Sequence, residues 1–359
     1  MISKRFCIAL LCVLAVLVTG YAQVSSKDKS AASEKPAAKQ ETTFPATGKK
    51  EPKQETAKPA ADAKTPKQDT AQSAAEAKTP KQESAKPAAD SKPPKQETTK
   101  PAADAKPSKP ALPYVIAADD FSNLQLPDAM HPVFDARTLS ERISLGLPVA
   151  LPSLSPYYGQ KTAYLTFDDG PDDEVTVSVL DILAENNVKG TFYVTGINAA
   201  TYPDTVRRMV AEGHAVGNHS YDHDYDRLYM SPDAFLYEMV QTDEILHDIL
   251  GFRPLILRAP GGTFSHFTSE YEACLEENGY VEHDWNVSIA DTASGNPTAQ
   301  DFVDNVIAQT ADGKESAIIL MHSSYGHQET AKALPEIIRV LRENGYCFGV
   351  ITPMTPQPW

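Results

Sequence analysis

Two carboxylates adjoin in Thr166-Phe167-Asp168-Asp169-Gly170-Pro171, and two imidazoles stand four residues apart in His219-Ser220-Tyr221-Asp222-His223. Adjacent carboxylates are costly wherever water is scarce, and the Gly-Pro that follows them enforces a turn. Alone, such a turn is more often a solvated loop than a site. On one helical turn the four-residue spacing sets both rings on one face, as metal-binding histidine pairs require. With a carboxylate from another strand end, the pair completes a two-His, one-carboxylate set with coordination positions left open. That donor set accepts several divalent ions, zinc first, then cobalt, manganese or nickel. Arg258 stands in Arg258-Ala259-Pro260-Gly261-Gly262, whose glycines allow a backbone amide to approach a ligand closely, and His322 closes the apolar run 318–321. Taken singly, Arg258 fits a surface ion pair and His322 a capping or core histidine. Four strand ends that close in Asp-Asp, a His pair, Arg and His are instead the parts of a metal-assisted hydrolase.

The elements that must position these groups follow from the apolar pattern. From residue 157 onward, short β-rich runs alternate with helical ones, and strands are expected at 162–167, 188–194, 214–218, 255–258, 280–287, 316–322 and 347–351. Ser231-Pro232 reads as an N-cap followed by an N1 proline, Thr298-x-x-Asp301 as a capping box, and Asn278-Gly279 and Asn344-Gly345 as glycine stops before strands. Strands separated by helices imply parallel βα units, hence an α/β fold with an open doubly wound sheet or a barrel. In either case function gathers at the carboxyl ends of the strands. Residues 113–156 fit neither pattern; they are expected to wrap the surface or pair at an edge, as an N-terminal extension of a domain spanning 157–359.

Charge divides the chain into unlike parts. Residues 113–359 carry 13 Lys+Arg against 36 Asp+Glu, whereas 23–112 carry 18 Lys against 12 Asp+Glu. An acidic folded part argues against a nucleic-acid or anionic-membrane surface, since neutralising phosphates requires clustered Lys and Arg. Residues 1–22 read as a secretory signal: Lys4 and Arg5, a 13-residue apolar run over 6–18, then Gly20-Tyr21-Ala22 as a small-x-small cleavage site. That run is short of the roughly 20 residues a spanning helix needs, so no membrane span is expected after cleavage. Residues 23–112 lack the apolar side chains a core requires, and a 14-residue unit beginning Pro-Lys-Gln recurs four times over 52–107. The expectation is a disordered Lys/Pro/Ala-rich linker whose coil dimension is about 50 Å, suited to holding an exported domain off or through a cell wall. A passive solubilising tail fits the composition equally. Cys7 and Cys12 leave with the signal, and Cys274 and Cys347 fit two buried thiols as well as one bridge. No residue sets an oligomeric state, and a monomer is the default expectation.

Across roughly residues 161–352 these motifs resemble the NodB-homology polysaccharide deacetylases of carbohydrate esterase family 4. Thr-Phe-Asp-Asp-Gly-Pro and His-Ser-x-x-His are the most specific of them. The resemblance implies a distorted (β/α) barrel with a polysaccharide groove. It also implies roles: Asp168 as general base, Asp169, His219 and His223 as the metal triad, and Arg258 as the arginine that positions the base. Gly261 would supply a backbone amide facing the oxyanion, Asp291 would tether Arg258, Leu320 would wall the acetyl pocket, and His322 would act as general acid. Ser288 and Thr292 depart from the family pattern, where many members have Asp and Trp. The function so implied is an exported, wall-associated deacetylase acting on N-acetyl groups of peptidoglycan amino sugars. Chitin oligomers, O-acetylated xylan and a non-catalytic wall-binding module stand as the alternatives.

Overall fold

The computed structural model describes residues 112–358, so the expected signal segment and the repeat tract lie outside the described residues. The element order begins with β1 (Val115–Ala117), β2 (Val133–Asp135) and α1 (Leu139–Leu145). Then follow β3 (Thr162–Asp168), α2 (Val175–Glu185), β4 (Thr191–Val194), α3 (Gly196–Thr201), α4 (Pro203–Ala211) and β5 (Ala215–Asn218). Next come α5 (Tyr225–Leu228), α6 (Pro232–Leu250), β6 (Arg253–Pro254), β7 (Ile256–Leu257), α7 (Ser269–Glu277), β8 (Val281–Glu282) and β9 (Val287–Ser288). α8 (Ala299–Thr310), β10 (Ser316–His322), α9 (Gln328–Glu343) and β11 (Cys347–Gly349) complete the series.

The main sheet runs β8-β7-β5-β4-β3-β10-β9, with β11 also paired to β3, and all its pairings are parallel. β11 pairs with the first half of β3 (Thr162 to Tyr164) and β4 with its second half (Thr166 to Asp168), so an extra strand is wedged in at the amino-terminal end. The sheet curls accordingly, and the fold is the distorted (β/α) barrel expected. Alternation along β3 and β10 sorts the side chains. Ala163, Leu165 and Phe167, with Ala317, Ile319 and Met321, join the core under the helices, while Tyr164 and Ile318 face inward with Tyr193 and Ile256. Thr166, Asp168, Leu320 and His322 share that inward parity.

The expected single strand over 280–287 is two short strands. Its first half pairs with β7 at one edge of the sheet and its second half with β10 at the other, so residues 283–286 carry the chain across the barrel's seam. No continuous ladder can serve both edges. The expected helix signals are present. Ser231 Oγ accepts from the Ala234 amide at 3.1 Å ahead of Pro232, Thr298 and Asp301 form a reciprocal capping box, and Gly279 and Gly345 adopt φ of 74° and 80° after their helices. Cys274 and Cys347 are free thiols, Cys347 exposed rather than buried. Among the described residues no helix is long and apolar enough to cross a membrane.

Residues 113–156 are tied to the barrel by charge as well as by a sheet. β1 and β2 pair in parallel and β2 adds β6 antiparallel. Asp135, at the end of β2, is completely buried between two buried arginines: Arg142 donates to it from Nε at 2.5 Å and Nη2 at 2.9 Å, and Arg253 from Nη2 at 3.3 Å. Arg142 also stacks over the Phe121 ring at 3.8 Å and donates Nη1 to the carbonyls of Asp119 and Pro148. Removing one partner of a buried ion pair strands the other in low dielectric, at a cost of about 3 to 5 kcal/mol. Asp135→Ala is therefore expected to lower unfolding free energy by about that amount. Urea unfolding would check it; an unchanged midpoint would show that water reaches the arginines.

Candidate active site

The expected residues meet at the carboxyl ends of β3, β5, β7 and β10. Asp168 is the last residue of β3 and is 3% exposed; Asp169 follows in a left-handed conformation at φ 69°. Adjacent residues of a continuing strand would point to opposite faces, but this left-handed step lets both carboxylates approach His219 Nε2. Asp168 Oδ1 accepts from Arg258 Nη1 at 3.0 Å, and its Oδ2 lies 3.8 Å from His219 Nε2. Asp169 Oδ1 lies 3.5 Å from both His219 Nε2 and His223 Nε2.

The two histidines do not share a helical turn, as their spacing suggested. They ride a loop after β5 in which Ser220 (φ 65°) and His223 (φ 62°) are both left-handed, and that reversal brings the rings to 5.2 Å between centroids. Ser220 Oγ accepts from the His223 amide at 3.1 Å, and the Asn218 side chain accepts from the Ser220 amide at 3.0 Å. These contacts replace the helical ladder as the source of the geometry. His219 donates Nδ1–H to the Arg258 carbonyl at 2.8 Å, which fixes its tautomer and leaves Nε2 as the free ligand atom.

Electrostatics at this trio favour a cation. Burial works against charge on Asp169, but its contact with His219 and the charges of His219, His322 and His223 prevail and hold the carboxyl well below the usual carboxylate range. Burial likewise opposes a proton on His219, yet Asp168 and Asp169 raise its pKa. Burial and the neighbouring His219 push His223 down, toward the neutral ring a metal ligand needs. Asp169 Oδ1 is buried and has no hydrogen-bond partner, and the three ligand atoms lie within 4.8 Å of one another. A buried carboxylate oxygen left without a donor, facing two imidazole nitrogens, fits a divalent ion. Asp291, His322 and His327 form a second such grouping, but there Asp291 Oδ1 and His322 Nδ1 are bonded to each other at 2.9 Å.

Asp291 does not tether Arg258. It accepts from the His322 amide at 2.8 Å, from His322 Nδ1 at 2.9 Å and from the Thr330 hydroxyl at 2.9 Å. The seam explains the difference. Ile289 donates to the Leu320 carbonyl, which runs Asp291 alongside the end of β10. Arg258 instead donates to Thr166 Oγ1 (2.7 Å), Asp168 Oδ1 (3.0 Å) and the carbonyls of His283 (2.8 Å) and Asp284 (3.1 Å). Ser288 Oγ, at a position that departs from the family pattern, accepts from the Ala290 amide and shapes the turn into Asp291. Burial disfavours a proton on His322, but the Asp291 hydrogen bond and the charges of Asp291, Asp168 and Asp169 outweigh it and raise its pKa to about 9.

His322 lies directly across from Asp168 in the β3–β10 register, and Leu320, 8% exposed, lies two residues below it on the same face. Gly261 is exposed with φ 74°, in a loop pinned by the Tyr229 hydroxyl donating to the Pro260 carbonyl at 2.6 Å. A Cβ at position 261 would come within 2.7 Å of the Tyr225 hydroxyl, so glycine is what lets that ring sit there. Tyr225, 41% exposed, meets His223 edge-on at 5.2 Å between centroids. Tyr225 and Thr166 are neighbours of the site that motif reading missed. Strict alternation from Asp168 back along β3 points to Thr166; only the distance of two residues from His223 hinted at Tyr225.

A parallel barrel whose strand ends carry an Asp/His/His group able to hold a metal ion, beside an arginine-held carboxylate and a carboxylate-held histidine, has the make-up of a hydrolase site. The comparisons narrow this class. The family model described as polysaccharide deacetylase matches residues 156–281. The chain is 35% identical over 198 residues to the putative polysaccharide deacetylase YheN of Bacillus subtilis, covering 54% of this chain and 68% of that protein. It is 33% identical over 199 residues to a peptidoglycan-N-acetylglucosamine deacetylase of Bacillus cereus (55% and 69% covered). A Streptococcus mutans CE4 esterase structure superposes with TM-score 0.51 at 31% identity, covering 54% of this chain and 86% of that one. The chain belongs to the polysaccharide deacetylase family, carbohydrate esterase family 4, hydrolases that act on N-acetyl amide bonds and generally use a divalent metal.

Asp291→Asn is expected to remove the main support for a proton on His322 while its burial remains, so the pKa falls from about 9. The basic limb of the pH dependence of kcat/KM should move to lower pH. A limb that stays in place would show that another group sets it.

Proposed function

We propose that this chain is an exported, metal-dependent deacetylase that hydrolyses N-acetyl groups of peptidoglycan amino sugars and releases acetate. The observation that carries the metal reading is the partnerless Asp169 Oδ1, placed 3.5 Å from Nε2 of both His219 and His223. Asp169, His219 and His223 would hold a divalent ion, zinc first among the candidates, which would make water more acidic and offset negative charge on the acetyl oxygen. Asp168, held by Arg258, takes the proton of the attacking water as general base. The Gly261 amide donates to the developing oxyanion, a contact worth roughly 3 to 4 kcal/mol where such donors have been measured. Leu320 walls the acetyl methyl. His322, kept cationic by Asp291, delivers a proton to the departing sugar nitrogen, which leaves poorly as an anion.

The peptidoglycan assignment draws on relatives, among them the Bacillus cereus protein above and a Bacillus subtilis protein named peptidoglycan-N-acetylmuramic acid deacetylase PdaA, 35% identical over 194 residues. The signal-like residues 1–22 and the repeat tract support export and reach: a leader, a spacer over 23–112, an extension over 113–156 and the deacetylase domain over 157–359. The expected assembly is a monomer at the cell wall.

Chelation should abolish acetate release and an added divalent ion should restore it; Asp168→Asn is expected to lower kcat by about 10² to 10⁴ with the metal still bound. Activity that survives both chelation and Asp169→Ala would overturn the metal reading. Purified peptidoglycan should yield acetate where acetylated xylan does not, and the reverse outcome would overturn the substrate reading.

A further inference from the structure

The loop that carries His219 and His223 is shaped from behind by Asn218, the last residue of β5 and fully buried. Its Oδ1 accepts from the Ser220 amide at 3.0 Å, while its Nδ2 donates to the Met239 carbonyl at 2.8 Å and to Asp243 Oδ1 at 2.7 Å. Asp243, buried on α6, accepts at Oδ2 from the Tyr280 hydroxyl (2.8 Å) and from Arg253 Nη1 (3.1 Å). Arg253 passes the contact to Asp135, and Asp135 to Arg142. A continuous line of buried hydrogen bonds thus runs from the segment before the barrel to the amide of a residue lying between two candidate metal ligands.

Filling space does not explain Asn218. Its neighbours on adjacent strands, Val194 and Leu257, are apolar, and a buried amide is costly unless satisfied. Here it joins three elements: the strand it ends, helix α6 and the loop beyond. That loop needs the help, because Ser220 and His223 both hold left-handed backbone that non-glycine residues adopt at a cost of about 1 to 3 kcal/mol each. His219 has its own hydrogen-bonded ring anchor at the Arg258 carbonyl; the His223 ring packs edge-on against Tyr225 and otherwise takes its direction from the loop's shape, including the Ser220 contact to its amide.

We propose that Asn218, held in place by the Met239 carbonyl and Asp243, is a positioning residue for divalent-ion binding. The inference rests on the reading of Asp169, His219 and His223 as metal ligands. Asn218 touches neither ion nor substrate. It sets the turn from which His223 presents Nε2.

The test is a zinc titration of the chelator-stripped full chain, by calorimetry or competition with a chromophoric chelator, alongside thermal melting of the same metal-free samples. Asn218→Ala should bind zinc about ten- to a hundredfold more weakly than wild type. Asn218→Leu, which refills the volume and guards against a folding failure of the alanine variant, should show the same loss. Asp243→Asn keeps an acceptor for the Asn218 amide but leaves Arg253 one charge short, so it should melt lower while keeping wild-type zinc affinity. Wild-type affinity in both Asn218 variants would overturn the inference. So would affinity that simply follows melting temperature across the three variants. A wild-type chain that binds no zinc or other divalent ion would instead overturn the metal-site reading, and this inference with it.

Discussion

Burying a guanidinium costs several kcal/mol unless its N–H groups find acceptors, and Arg258 meets that condition with acceptors from separate stretches of chain. Nη1 serves Thr166 and Asp168 on β3; Nε and Nη2 serve the carbonyls of His283 and Asp284, where the chain crosses the seam and leaves a ladder unfinished. Its own carbonyl accepts from His219 Nδ1, so the same residue that orients the carboxylate also sets the tautomer of a metal-type ligand. The ring of Tyr193 stacks 4.4 Å from its guanidinium carbon and completes the enclosure. Barrel closure and site geometry are therefore one problem here, solved by one side chain.

The seam also separates Asp168 and His322, the proposed base and acid, by environment while keeping them close. Asp168 and His322 are register partners on adjacent parallel strands, so their backbones are fixed relative to each other by the ladder. What differs is the counter-charge each receives: Arg258 beside Asp168, and Asp291 beside His322. The anion beside His322 favours its protonated form, which is what the proposed acid role requires. Asp291 can play its part only because β9 joins β10 on the side away from β3.

Most of this site was legible because its residues sit in short motifs at strand ends, and strand ends in parallel sheets converge. Asp168, Asp169, His219, His223, Arg258 and His322 were each legible locally. What escaped depended on pairing across long sequence separations. The run over 280–287 has apolar residues at both ends, Tyr280-Val281 and Val287, yet its halves serve opposite edges, and a local pattern cannot register which neighbour a strand finds. The partner of Asp291 follows from that same break, so the misassigned tether and the misread strand share one cause. Asn218 and Asp135 carried no motif signal at all, since a buried polar residue looks like any other polar residue until its partners are known.

Among the described residues, Asp169, Ser220, His223 and Ala290 hold left-handed backbone, and each is a candidate ligand or an immediate neighbour of a site residue. None is glycine, so flexibility is not the gain. A side chain placed on such a backbone points where neither strand nor helix would send it, and strain persists only when the surroundings over-determine the position. Each case has such a surrounding: Asn198 Nδ2 holds the Asp169 carbonyl, Asn218 the Ser220 amide, Ser220 the His223 amide and Ser288 the Ala290 amide. Polar side chains within and beside the motifs, Ser220 among them, thereby fix the directions in which the candidate site residues point.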